Sequence, residues 1–99
     1  MSYVIGIDLG TSAVKSVLVD KTGTVVSEQS EAYPLYQPKP GYSEQEAEDW
    51  VEKTILSLKN LLASSGVKAE EIEGISFSGQ MHGLVLVGED GRALRRAIL

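Results

Sequence analysis

The sequence predicts an α/β fold whose mixed sheet is laid down in the order β-β-β-α-β, and three observations carry that expectation. Residues 3–8 form a near-continuous apolar run ending in Asp8, the pattern of a strand inside a sheet rather than at its rim. Two more strand-like segments follow, separated by glycine-containing turns that suit antiparallel pairing. A long segment with helical apolar spacing then precedes another apolar run, and a helix between strands favours a parallel, right-handed return into the sheet.

Residues 3–8 are the first strand, expected at a central position covered on both faces. Gly10 turns the chain into the second strand, residues 13–20. The stretch Asp20-Lys21-Thr22-Gly23 is a turn with glycine where a positive φ is expected, and residues 24–33 return as a third strand, antiparallel to the second. Its polar portion, residues 27–31, suits an edge or solvent-facing strand. All three prolines and Gly41 fall within residues 34–42, an irregular connector expected to cross one end of the sheet. Ser43 and Glu46 have the spacing of a capping box, and Trp50, Val51, Ile55, Leu58, Leu61 and Leu62 then repeat with helical period. The acidic residues Glu44, Glu46, Glu48 and Asp49 suit the positive end of that helix, and Gly66 suits its left-handed stop. Residues 72–78 are the next strand. Beyond it lie the polar, glycine-flanked junction Gly79-Gln80-Met81-His82-Gly83, the apolar residues 84–87, the turn Gly88-Glu89-Asp90-Gly91 and a final apolar run, Ala97-Ile98-Leu99.

A chain of 99 residues makes at most one domain. With 42% hydrophobic and 23% charged residues it has the composition of a globular protein, not a disordered or fibrous one. The lack of cysteine excludes disulfides, thiolate metal sites and a cysteine nucleophile, and fits a cytosolic setting. A net charge of −5 argues against broad electrostatic binding to nucleic acid or anionic lipid, so any phosphate must be met locally. The first residues carry no basic segment followed by an apolar run, and no stretch approaches the roughly 18 to 20 apolar residues of a membrane span. The expectation is a protein neither exported nor anchored.

The chemistry concentrates at Asp8-Leu9-Gly10-Thr11-Ser12. Glycine lets the backbone bend and approach a ligand, while Thr11 and Ser12 offer hydroxyls and backbone N–H groups that together form an anion-binding concavity. Asp8, at the carboxyl end of a strand, has the position of a residue that holds a hydrated Mg²⁺ beside a phosphate. Read locally, the same five residues are equally an ordinary polar hairpin loop. The pattern is neither a P-loop, for it lacks the second glycine and the Gly-Lys-Ser/Thr ending, nor a G-x-G-x-x-G turn.

A strand ending in Asp-x-Gly-Thr-Ser before a hairpin resembles the first phosphate loop of the actin-like ATPases, and the β-β-β-α-β order resembles the start of their ribonuclease-H-like domain. Three stretches narrow the resemblance: residues 8–15, then Gly41-Tyr42-Ser43-Glu44-Gln45 with Trp50, then Ser78-Gly79-Gln80-Met81-His82-Gly83. In this order and spacing they resemble the FGGY carbohydrate kinases, with Gln80-Met81-His82-Gly83 similar to the xylulose-phosphorylating branch. The resemblance implies that residues 1–99 are the incomplete N-terminal part of the first kinase domain of a cytoplasmic, homodimeric parent that uses ATP and Mg²⁺ to phosphorylate D-xylulose. Under it, Asp8 places Mg²⁺ and the transferred phosphoryl group, Gly10, Thr11 and Ser12 face the nucleotide's terminal phosphates, and Gln80, Met81 and His82 meet the sugar. Lys15 is either a charge near the phosphates or a solvated strand residue. His82 alone would be an ordinary loop histidine and Met81 alone a core residue; their neighbours supply the reason to read them otherwise. The family's catalytic aspartate, second phosphate loop and adenosine pocket have no counterpart in these 99 residues, so the chain alone is expected to be inactive. Two other readings remain. A sister kinase for ribulose, gluconate or a related sugar is disfavoured by Gln80-Met81-His82-Gly83, and a non-enzymatic binding module would fold cooperatively as a lone monomer.

Overall fold

A computed structural model describes residues 2–79 and 83–99. Its elements are β1 (Tyr3–Leu9), β2 (Ala13–Asp20), β3 (Val25–Ala32), β4 (Glu44–Gln45), α1 (Ala47–Ser65), β5 (Ile72–Gly79) and β6 (Ala97–Ile98), with a single 3₁₀ turn at Ala69–Glu71 leading into β5. The main sheet has the order β3-β2-β1-β5. β1, β2 and β3 form an antiparallel meander, and β5 returns parallel to β1. The expected mixed sheet and strand order are therefore present, with each strand within a residue of its expected bounds.

Alternation along the strands sets the core. Ile5 and Ile7 of β1 and Val14, Ser16 and Leu18 of β2 are buried, together with Tyr33 and Leu61. Trp50 and Leu58 of α1 pack partly buried against this cluster. Fully buried Ser57 lies one turn before Leu61, and small side chains at Ser16 and Ser57 let α1 lie close to β2. The expectation that β1 is covered on both faces does not hold within the described residues. Ile5 and Ile7 face α1, whereas Val4, on the other side of the pleat, is 45% exposed. The continuous apolar run marks β1's central place in the sheet, but one helix covers only one face. That helix sits over β2 and β3, so Ile75 and Phe77 of β5, which pair with Ile5 and Ile7, remain largely open.

The polar stretch of β3 is also more than a solvated edge. Ser27 and Gln29 hydrogen bond to Ser64 of α1, and Asn60 donates to Glu31, so polar residues of the edge strand meet polar residues of the helix.

The start of α1 differs from the expected capping box. Glu46 is the N-cap and makes no side-chain cap bond. Residues 44 and 45 are instead drawn into β4, antiparallel to β6, with Glu44 opposite Ile98 and Gln45 opposite Ala97. Tyr36 and Glu44 exchange backbone bonds at 2.8 and 2.9 Å, and Leu99 N–H donates to Ser43 C=O at 2.9 Å. A local cap is worth about 1 kcal/mol, and this set of backbone pairings from distant parts of the chain outcompetes it. The C-terminus follows expectation: Gly66 has φ +73° and donates its N–H to Leu62 C=O.

The Cα radius of gyration is 15.4 Å, against about 13 Å for a compact domain of this length. The elongation, with principal extents of 48 × 29 × 21 Å, accounts for the excess.

Candidate functional site

The loop between β1 and β2 is held with unusual completeness for a hairpin turn. Gly10 N–H donates to Ala13 C=O at 2.9 Å, which closes the turn. The carbonyls of the three loop residues then take donors from elsewhere: Gly10 C=O from the Tyr33 hydroxyl, Thr11 C=O from Gln45 Nε2 and Ser12 C=O from Tyr33 N–H at 3.2 Å. Glycine at position 10 is favoured by space rather than by dihedral. A Cβ there would lie 3.0 Å from the Ala13 carbonyl oxygen, and Gly10 is not among the glycines of positive φ. Thr11 and Ser12 are exposed at the tip, at the carboxyl end of β1.

Asp8 immediately precedes this loop on the sheet face away from α1. Its cross-strand neighbours are Lys15 on β2 and Ser78 on β5. These residues share a depression of about 390 Å³ with Gly6, Val17 and Ser76. Lys15 Nζ lies 3.4 Å from Glu28, both side chains being about half exposed. An ion pair so exposed contributes at most about 1 kcal/mol, so Lys15 can leave Glu28 for an anion at little cost. Lys15 is thus a solvated strand residue that stands across from Asp8. Burial, and then the negative charge of Asp8, raise the pKa of the Tyr33 phenol, which keeps its hydroxyl a donor to Gly10.

Gln80, Met81 and His82 lie outside the described residues. The strand that leads into them ends beside the loop, since Ser78 pairs with Asp8 and Gly79 with Leu9. Among the described residues no group of three or more His, Cys, Asp or Glu could hold a metal ion by itself. A single carboxylate such as Asp8 could hold a cation only together with water or a bound group, not as a protein-only cage.

Two contributors are not legible as site residues in the sequence. Tyr33 closes an edge strand and carries no pattern of its own. Gln45 reads as part of a helix entry; its only signal is its place in the Gly-Tyr-Ser-Glu-Gln stretch before Trp50. In the structure Gln45 is 1% exposed, and its Oε1 accepts from Trp50 Nε1 at 3.0 Å. Next to it, Glu44 is buried between Arg95 and Arg96; Arg96 also bonds Glu46 at 2.9 Å and stacks 3.8 Å over the Tyr36 ring. These contacts clamp β4 to β6 and thereby fix Gln45 against the loop.

Comparison with known proteins places this geometry. The chain is 61% identical over all 99 residues to a xylulose kinase of Bacillus subtilis, of which it covers 20%. A solved xylulose kinase from Brucella ovis superimposes with a TM-score of 0.93 at 36% identity, over 98% of this chain and 20% of that one. A gluconate kinase from Lactobacillus acidophilus superimposes at 0.90 with 35% identity, over 98% of this chain and 19% of that one. The chain spans about a fifth of the length of the curated relatives it matches. Residues 3–99 match the model of the N-terminal domain of the FGGY family of carbohydrate kinases, and with a partial actin-like ATPase fold, the chain belongs to that family.

Proposed function

We propose that this chain is the N-terminal part of an ATP-dependent sugar kinase that transfers the γ-phosphoryl group to D-xylulose, giving D-xylulose 5-phosphate and ADP, and that residues 1–99 alone do not turn over. The observation that carries the proposal is the loop of Gly10, Thr11 and Ser12, held at the carboxyl end of a central strand with Asp8 and Lys15 beside it. Phosphoryl transfer asks a protein mainly for positioning and for neutralising charge on the moving group. The N–H and hydroxyl groups of Thr11 and Ser12 serve the nucleotide's terminal phosphates, and Lys15 adds a positive charge at the same end of the sheet. Asp8 supplies a carboxylate oxygen for Mg²⁺; when bound, the ion offsets negative charge on the phosphates. Gln80, Met81 and His82 follow the strand that pairs with Asp8, which suits contact with the acceptor sugar. A neutral imidazole at His82 offers one donor and one acceptor to a polyol, and Met81 offers an adaptable apolar wall. The base that removes the sugar's hydroxyl proton belongs to the remaining part of the protein, as does the adenosine pocket.

No described helix is long and apolar enough to cross a membrane; a cytoplasmic, homodimeric parent belongs to the same proposal. Since a gluconate kinase matches this region about as well as a xylulose kinase, the backbone supports a sugar kinase more strongly than a particular sugar. The test is ADP release by the full-length protein over a panel of ketopentoses, gluconate and deoxy sugars. Phosphorylation of D-xylulose is expected, and turnover of gluconate alone would transfer the assignment to the sister activity. Asp8→Ala should depress kcat far more than it raises the sugar KM, and His82→Ala should do the reverse. An unchanged sugar KM in His82→Ala would remove that residue from the site.

A further inference from the structure

We infer that Gln45 and Tyr33 are positioning residues that pre-set the phosphate loop, holding the carbonyls of Gly10, Thr11 and Ser12 on the protein side so that the N–H groups of the same peptide planes are fixed on the other. The inference rests on the kinase reading for its consequence and on the geometry alone for its cause.

A trans peptide unit is planar, with its C=O and N–H pointing in opposite directions. Among the described residues there is no cis peptide. Gly10 C=O shares its plane with Thr11 N–H, Thr11 C=O with Ser12 N–H, and Ser12 C=O with Ala13 N–H. Each of these three carbonyls meets a donor from outside the loop: the Tyr33 hydroxyl, Gln45 Nε2 and Tyr33 N–H. A turn whose consecutive peptide planes are all fixed on one side has little freedom to reorient its N–H groups, and preorganised donors avoid reorganisation when charge arrives.

The orientation of Gln45 is itself determined. An indole N–H can only donate, so the atom facing Trp50 Nε1 must be Gln45 Oε1, which commits Nε2 to Thr11 C=O. Trp50 is packed against the core, and Gln45 is fixed by pairing with Ala97 in the β4 and β6 ribbon. The loop is therefore tied to α1 and to the far end of the chain through one amide. Tyr33, 6% exposed, ties it to the end of β3 by two bonds.

The experiment uses the full-length protein with Tyr33→Phe, which removes one hydroxyl, Gln45→Glu, which keeps an acceptor for Trp50 but has no donor for Thr11 when ionised, and Gln45→Met. Steady-state kinetics with ATP and sugar varied separately are read beside amide hydrogen exchange of residues 10–13 and the urea midpoint. Faster exchange confined to the loop is expected in all three variants. A loss of about tenfold in kcat/KM for ATP, a misplacement smaller than an ångström, should accompany it while the sugar KM stays unchanged. Gln45→Glu should be the most affected, since a carboxylate then faces a carbonyl. Unchanged loop exchange in Tyr33→Phe and Gln45→Glu overturns the inference, as does a loss shared equally by ATP and sugar that only follows a lowered urea midpoint. If the wild type neither binds a non-hydrolysable ATP analogue nor phosphorylates any sugar, the kinase reading fails; the exchange measurement still decides whether these side chains hold the loop.

Discussion

Gly10→Ala isolates the geometry of the β1–β2 loop proposed to meet phosphate. The new Cβ would lie 3.0 Å from the Ala13 carbonyl oxygen, tighter than ordinary contact, and the neighbour is backbone rather than the end of a flexible side chain. That same oxygen accepts the Gly10 N–H at 2.9 Å, so moving it away lengthens the bond that closes the turn. Relief requires a shift of a few tenths of an ångström, and Tyr33 and Gln45 resist it from the other side. Overpacking of this kind costs about 1 to 3 kcal/mol. Reduced entropy of the unfolded chain offsets about 0.4 to 1 kcal/mol of that. Because Gly10 does not have a positive φ, no dihedral penalty is added. The fall in stability should therefore be modest, on the order of 1 kcal/mol, while kcat/KM for ATP should fall about tenfold, since an ångström of misplacement costs about a hundredfold. Gly66→Ala is the control: its φ of +73° makes alanine strained, yet nothing lies within 4 Å of the new Cβ and the site is remote. It should lose about 1 kcal/mol and leave the kinetics unchanged. The measurements are ADP release and urea unfolding of the full-length protein. Wild-type kcat/KM for ATP in Gly10→Ala would refute the claim that this contact defines the loop.

Other substitutions probe the core, the second turn and the open face. Ser16 Oγ is buried with no hydrogen-bond partner among the described residues, so Ser16→Ala should raise the urea midpoint, by about 1 kcal/mol in stability, whereas Ser16→Val should lower it by crowding α1. The Asp20 carboxylate accepts from the Thr22 hydroxyl and from Thr24 and Thr22 N–H, and these bonds, the Thr22 hydroxyl first, lower its pKa. A lowered folded value means that the contribution is complete above about pH 4 and is lost as pH falls through the folded value. The difference in urea midpoint between wild type and Asp20→Asn should shrink on acidification, and a constant difference down to pH 2 would contradict the assignment. Phe77 and Ile75 are 70% and 49% exposed beside α1, an apolar face of the kind that drives association. The 99-residue chain by itself should sediment above monomer mass, and Phe77→Ser should reduce that tendency.

The sequence by itself determined the elements whose causes are local. Apolar runs and turn chemistry are enough to read β1, β2, β3 and β5, because each is decided over a few residues by its run of strand-forming side chains and by Asp, Thr and Gly at the bends. The same holds for the C-terminal stop at Gly66, and the parallel return of β5 follows from a helix lying between strands. Asp8, Gly10, Thr11 and Ser12 could be read from the sequence as candidates for one anion-binding turn, whereas the placement of Lys15 across from Asp8 came from the strand register. Ser43 and Glu46 show where local reasoning stops: the spacing of a capping box is present, yet residues 44 and 45 pair with residues 97 and 98. No periodicity in a two-residue strand announces a partner some fifty positions away. Only the tertiary structure decided that Tyr33 and Gln45 would meet the loop's carbonyls, and that α1 would cover β2 and β3 while leaving β5 open. The physical reason is that a backbone carbonyl accepts from any donor brought within reach, so the choice of donor belongs to the packing of distant segments and not to the residues that carry the oxygen.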